Sequence, residues 1–200
     1  MKIGVLGAGT MGAGIAQVAA QSGHEVVLVD VNQVQLDKAK LALIKVLDRL
    51  VEKGSLDESG KNAVLNNMHF STKLEDFRGS GLVIEAIVEK LEVKHAVFKE
   101  IEEVVGMDCI IASNTSSLSI ASIGAVLKFP SRVIGIHFFN PAPLMPLVEI
   151  IPAVQTSDET LSTAKSIIDS WKKLTVVCKD TPGFIVNRVA RPFYGEALRI

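Results

Sequence analysis

Lys2-Ile3-Gly4-Val5-Leu6-Gly7-Ala8-Gly9-Thr10-Met11-Gly12-Ala13-Gly14 takes the chain from a short apolar run, through a glycine turn, into an amphipathic segment. A G-x-G-x-x-G match is weak evidence when isolated. Here a strand pattern precedes it and a helix pattern follows, which is the context a dinucleotide-binding loop requires. Gly7 permits the tight turn, Gly9 lets the backbone approach a pyrophosphate, and Gly12 lets the helix pack closely on the sheet. The exposed N–H groups and the helix dipole then favour the phosphate charge. The next apolar run, residues 25–29, ends in Asp30, about 20 residues on from the loop, where a carboxylate accepts hydrogen bonds from a ribose and repels a 2′-phosphate. NAD is therefore expected rather than NADP. The plainer alternatives are a structural glycine turn and an ordinary strand-end aspartate.

Outward from that loop, short apolar runs alternate with longer amphipathic ones, the pattern of a parallel sheet with crossover helices. Strands are expected at residues 2–6, 25–29, 69–71, 82–85, 110–113, 133–138, 147–151 and 175–178. Helices are expected at 12–22, 33–53, 57–66, 91–105, 120–127 and 158–171. The fold class is α/β, a Rossmann-type doubly wound, mostly parallel sheet with an inserted helical hairpin, followed by the start of a helical C-terminal domain. The hairpin, residues 33–67, breaks at Gly54-Ser55. Leu36, Ala39, Leu43, Val46 and Leu50 form a narrow apolar seam along its first helix, suited to packing on one neighbouring helix. Lys38, Lys40, Lys45, Arg49 and Lys53 surround the seam, either as a solvated face or as contacts for the phosphates of a long anionic substrate. Lys179-Asp180-Thr181-Pro182-Gly183 reads as a linker. Residues 1–182 are thus expected to form the NAD-binding domain. Residues 183–200 would be the first helix of a second domain, with the whole chain a piece of a longer one.

Bulk properties exclude more than they identify. The chain has 200 residues, 48% hydrophobic and 22% charged, with a net charge of −1. Nothing in that balance calls for nucleic acid or a membrane surface. No stretch reads as a signal or transmembrane segment. Cys109 and Cys178 lack the spacing of a metal site, and reduced thiols in a cytoplasmic protein are the expected state.

The chemistry is concentrated in His137-Phe138-Phe139-Asn140-Pro141-Ala142-Pro143-Leu144-Met145-Pro146-Leu147-Val148-Glu149. A histidine ends one apolar strand, a proline-stiffened turn follows, and a glutamate returns inside the next apolar run. A buried carboxylate is costly without a partner, and the nearest titratable candidate is that imidazole. A His–Glu couple makes a proton acceptor that works near neutral pH. His24, His69 and His95 have no comparable partner. In an open α/β sheet the carboxyl ends of the strands face the ligand crevice. That places Glu85-Ala86-Ile87-Val88-Glu89-Lys90 and Ser113-Asn114-Thr115-Ser116-Ser117 at the site. Turn and N-cap chemistry accounts for Ser117 and Ser119 but less well for Asn114 and Ser116. A nicotinamide cofactor restricts the reaction to hydride transfer, with His137 as base, Glu149 orienting it, and Ser116 and Asn187 holding the reacting oxygen.

Taken together, Gly7–Gly14, Asp30, Ser113–Leu118, His137–Pro141 and Asp180-Thr181-Pro182-Gly183-Phe184-Ile185-Val186-Asn187-Arg188 resemble the L-3-hydroxyacyl-CoA dehydrogenases, most closely their bacterial 3-hydroxybutyryl-CoA branch. The resemblance implies oxidation of an L-3-hydroxyacyl-CoA to the 3-ketoacyl-CoA, with His137 and Glu149 as the catalytic pair and Ser116 and Asn187 at the substrate. It implies NAD contacts from Gly7, Gly9, Thr10, Met11, Gly12, Asp30, Glu89, Lys94, Asn114 and Ser116. It also implies a CoA-contacting hairpin with Lys53 at a phosphate, and a homodimer formed through the helical domain. Two alternatives stay open on the residues alone: a related dehydrogenase of a non-CoA hydroxy acid, and a non-catalytic NAD-binding protein.

Overall fold

In the computed structural model, which describes residues 1–199, the apolar runs build one eight-stranded sheet in the order β3-β2-β1-β4-β5-β6-β7-β8. The strands are β1 (Lys2–Leu6), β2 (Glu25–Val29), β3 (Met68–Ser71), β4 (Leu82–Glu85), β5 (Ile110–Ser113), β6 (Val133–Phe138), β7 (Leu147–Pro152) and β8 (Leu174–Val177). Strands β1 to β6 pair in parallel. A turn short enough for a hairpin joins β6 to β7, so β7 runs antiparallel to it, and β8 follows the direction of β7. The order reverses between β1 and β4, which creates a crevice at the carboxyl ends of these strands.

Among the described residues six α-helices lie in the connections between strands, α1 (Thr10–Gln21), α2 (Gln33–Glu52), α3 (Glu58–Asn66), α4 (Leu91–Val104), α5 (Ile120–Gly124) and α6 (Asp158–Ser170), and α7 (Val186–Ala197) follows β8. Alternating strand residues feed two cores, as burial on both faces requires. Leu82 and Ile84 pack with Ile15, Leu36, Leu47 and Ile168 on one side. Val83 packs with Phe77, Phe98, Ile101 and Ile123 on the other.

The hairpin differs from its expected packing. Helix α2 touches α1, α3 and β3 rather than one helix, and its buried residues are Leu36, Ala39, Leu43 and Leu47. A wider contact arc turns Leu47 inward and leaves Val46 37% exposed, on the wall of a groove. The break at Gly54-Ser55 is a helix stop in which the N–H groups of Ser55 and Leu56 return to Leu50 O. Helix α5 ends at Gly124, where the Leu127 N–H closes a turn on Gly124 O. Strand β8 sits one residue earlier than expected, and as an edge strand it is largely exposed. Among the described residues no helix is long and apolar enough to cross a membrane. Both cysteines are free and buried, and burial pushes each thiol up to about 12, which leaves them unreactive.

Candidate active site

At the turn after β1, Gly7 has φ +100° and its N–H donates to Val29 O at 2.7 Å. A Cβ on Gly12 would lie 1.8 Å from Gly7 O, whereas one on Gly9 would meet nothing within 4 Å. Gly12 is thus required by the protein itself, and the space over Gly9 is open to a ligand. Asp30 faces the loop, accepting from Ala8 N–H at 2.8 Å and Asn32 N–H at 2.9 Å. Gly7, Gly9, Asp30, Ile87 and Val88 line a groove of about 590 Å³ that fits the adenosine half of a dinucleotide. The residues present therefore suit NAD, with Thr10 and Met11 opening α1 beside it.

Across the crevice lies a buried polar floor. The Lys94 ammonium, 1% exposed, sits 2.6 Å from Glu85 and 3.3 Å from Glu89. Glu85 also accepts from Ile87 N–H at 2.7 Å and from Ser113 Oγ at 2.7 Å. Burial pushes Glu89 up, but the Thr115 hydroxyl, the Lys94 charge and the Ser116 N–H outweigh it and hold the carboxyl below its ordinary range. Lys94 is placed beneath the site, so it fixes Glu89 from below. Its amphipathic helix gave no sign of this burial. Asn114 accepts from Phe138 N–H at 2.8 Å, binding the ends of β5 and β6 together.

The register of β6 and β7 sets His137 directly opposite Glu149. Their side chains meet at 2.7 Å, His137 Nδ1 to Glu149 Oε2, both buried. An ionised carboxylate only accepts, so Nδ1 carries the proton and Nε2 of the neutral ring is left as an acceptor. The other carboxylate oxygen accepts from Ile185 N–H and Val186 N–H, each at 2.9 Å. Two successive left-handed residues, Gly183 (φ +78°) and Phe184 (φ +47°), turn the chain so that these N–H groups converge on one oxygen. The Phe184 ring packs 5.7 Å from the imidazole and Phe139 packs 4.5 Å from it. In the first turn of α7, the Asn187 amide donates to Ser116 O at 3.3 Å. His137, Asn114, Ser116, Asn187 and Glu89 thereby border one hollow of about 490 Å³, with Arg191 on its rim.

Burial pushes Glu149 up, but the hydrogen bonds from His137, Val186 and Ile185 together hold its carboxyl below the ordinary 4.5. A depressed carboxylate stabilises the fold fully above its unfolded value, and that contribution is lost as pH falls through the folded one. The urea midpoint is expected to fall as pH drops below about 4.5, with a shallower fall in Glu149→Gln. Equal slopes in the two proteins would contradict this.

The turn between β6 and β7 contains a cis Asn140–Pro141 bond and is held from below by Lys173, a residue the sequence gave no reason to single out. Its ammonium donates to Ala142 O at 2.7 Å and Met145 O at 2.9 Å. Asp180, within the segment expected to be a linker, accepts from Ser119 Oγ and from the Ile120 and Ala121 N–H groups, fastening that segment to the start of α5. Next to the turn, Gly14, Ala39, Leu43, Val46, Leu50 and Pro143 line an apolar groove of about 530 Å³ that leads toward the C-terminal end of α2. Lys53 lies just past that end, exposed and outside the groove lining.

Comparison with known proteins agrees with this geometry. Residues 2–181 match the family model described as 3-hydroxyacyl-CoA dehydrogenase, NAD binding domain. The chain is 46% identical over 199 residues to a probable 3-hydroxybutyryl-CoA dehydrogenase of Deinococcus radiodurans, spanning 100% of this chain and 71% of that one. It is 44% identical over 197 residues to the 3-hydroxyadipyl-CoA dehydrogenase of Escherichia coli K12, spanning 98% of this chain and 42% of that one. The crystal structure of a 3-hydroxybutyryl-CoA dehydrogenase from Escherichia coli K12 superposes with a TM-score of 0.97 at 44% identity, over 100% of this chain and 42% of that one. A glycine loop open over Gly9, a strand-end Asp30 and a β6–β7 His–Glu couple thus occur together in a chain that belongs to the 3-hydroxyacyl-CoA dehydrogenase family and carries its NAD-binding domain.

Proposed function

We propose that this site interconverts an L-3-hydroxyacyl-CoA and the 3-ketoacyl-CoA. The observation that carries the reading is His137, held at Nδ1 by an ionised Glu149 and bordering the same hollow as Ser116 and Asn187. NAD, when bound, supplies the acceptor for the hydride that leaves C3. His137 Nε2 takes the proton of the C3 hydroxyl, and the Glu149 carboxylate stabilises the imidazolium that results. The Ser116 hydroxyl and the Asn187 amide hold the C3 oxygen as it becomes a carbonyl. In the reverse direction the imidazolium returns the proton. Asp30 favours the unphosphorylated ribose, and Glu89 and Asn114 shape the nicotinamide end. The apolar groove beside α2 fits a pantetheine arm, and Lys53 meets a CoA phosphate beyond it.

On the same reading α7 begins a helical domain that closes over the acyl chain and pairs two subunits. No residue of α7 is buried, and Phe193 and Tyr194 are exposed on it, which supports this role. The reaction suits a cytoplasmic enzyme.

The test is NADH oxidation with acetoacetyl-CoA set against free acetoacetate. The thioester is expected to be strongly preferred, and Lys53→Ala to raise its KM a few-fold at low salt, as loss of one screened charge contact would. Equal turnover of the free acid would overturn the CoA assignment.

A further inference from the structure

We propose that the acyl chain accepted here ends in a carboxylate, and that Arg191 is the residue that reads it. This inference rests on the acyl-CoA reading of the site and narrows its substrate class. Asn187 and Arg191 are four residues apart on α7, so they share a face and lie about 6 Å apart along the helix axis. Both border the hollow that contains His137. The amide nearer the base is suited to the C3 oxygen, and the guanidinium stands one turn farther out, where a chain a few methylenes longer would end.

The surroundings favour an anionic ligand for that guanidinium. Arg191 makes no ion pair among the described residues, although Lys94, Lys61, Arg132 and Arg199 all do. Glu89 is the one carboxylate besides Glu149 close to this hollow, and it is already committed. It accepts from the Thr115 hydroxyl and from Ser116 N–H and is paired with Lys94. Met11, Phe138 and Phe139 give the hollow an apolar side, opposite in character to Asn114, Ser116 and Asn140. An alkyl chain ending in a planar anion matches that order of surfaces, and a guanidinium is the side chain suited to bidentate carboxylate recognition. The phosphates have other sites. On the proposed reading the pyrophosphate lies at the glycine loop and CoA in the groove lined by α1, α2 and Pro141, a groove to which no residue of α7 contributes.

The experiment is calorimetric titration of the NAD-loaded protein with adipyl-CoA and with hexanoyl-CoA, which share the CoA moiety and the six-carbon chain and differ in the terminal group. The protein is expected to bind the carboxylated ligand more tightly, and Arg191→Gln to reduce that preference by about tenfold to a hundredfold, the loss of one charge-assisted contact. Arg188→Gln, which alters a guanidinium on the same helix outside the hollow, is expected to leave the preference in place. Three results would each overturn the proposal: no preference in the unaltered protein, a preference unmoved by Arg191→Gln, or an equal loss in Arg188→Gln. Because binding is read without turnover, failure here is separable from failure of the dehydrogenase reading, which is tested by NADH oxidation.

Discussion

Replacing His137 with glutamine is expected to lower kcat for NADH-dependent reduction of acetoacetyl-CoA by about a thousandfold, the middle of the range for loss of a general acid–base group. Glutamine fills much of the same volume and can still donate to Glu149 Oε2, so the β6–β7 pairing is retained. It has no site that exchanges a proton near neutral pH, and this is the property removed. The KM is expected to change little, because the loss falls on the transition state. Glu149→Gln is expected to cost less, about a hundredfold, since the imidazole survives but loses its counter-charge. Combining the two should add little to His137→Gln alone, because the residues act as a unit. A His137→Gln protein that retained full rate would remove the base from the mechanism, and additive losses would show that the two residues act separately.

The second large effect separates two glycines of one loop. Gly9→Ala is expected to weaken NADH binding by more than about a hundredfold while leaving the melting temperature unchanged. The backbone at Gly9 is extended (φ −69°, ψ −176°), and beyond its immediate chain neighbours nothing lies within 4 Å of the added methyl. The only space it takes is where the pyrophosphate approaches the backbone. Gly12→Ala is expected to lose both binding and stability, because its methyl would lie 1.8 Å from Gly7 O. That carbonyl cannot retreat freely, since the Gly7 N–H is anchored on Val29 O. Overpacking of this kind costs about 1–3 kcal/mol even where neighbours can shift. Fluorescence titration with NADH and thermal melts of both variants give the comparison. Undiminished NADH affinity in Gly9→Ala would place the cofactor elsewhere.

Those two glycines also show what could be read from the chain before its structure. Loop, strand and helix are local in sequence, so periodicity and glycine spacing placed β1 and α1 to within about two residues, ordinary accuracy for element ends. The His137–Glu149 couple was legible because a short turn must return one strand beside the other, and the paired register confirms it. Backbone donors leave no comparable trace. Nothing in Ile185 or Val186 as residue types announces that their N–H groups hold Glu149. The pattern of its helix did not single out Lys94, which only the family resemblance marked, as an NAD contact; it is buried between Glu85 and Glu89, where two strand-end loops converge. Lys173 was invisible for the same reason: its partners are carbonyls of a turn about 30 residues earlier, contacts that side-chain patterning cannot encode. Val46 and Leu47 exchanged places because the seam was matched to one neighbour, whereas three elements surround α2.

The corner at Gly183-Phe184 gives the site a means of checking its own assembly. One carboxylate is gripped by the imidazole on one oxygen and by the first N–H groups of α7 on the other. If α7 were dislodged by even one hydrogen-bond length, Glu149 would lose two donors and the ring would lose a rigid anchor. On the proposed mechanism, proton transfer is thereby conditional on that helix being seated, and His137 is armed as a base only when the wall carrying Asn187 and Arg191 is in place.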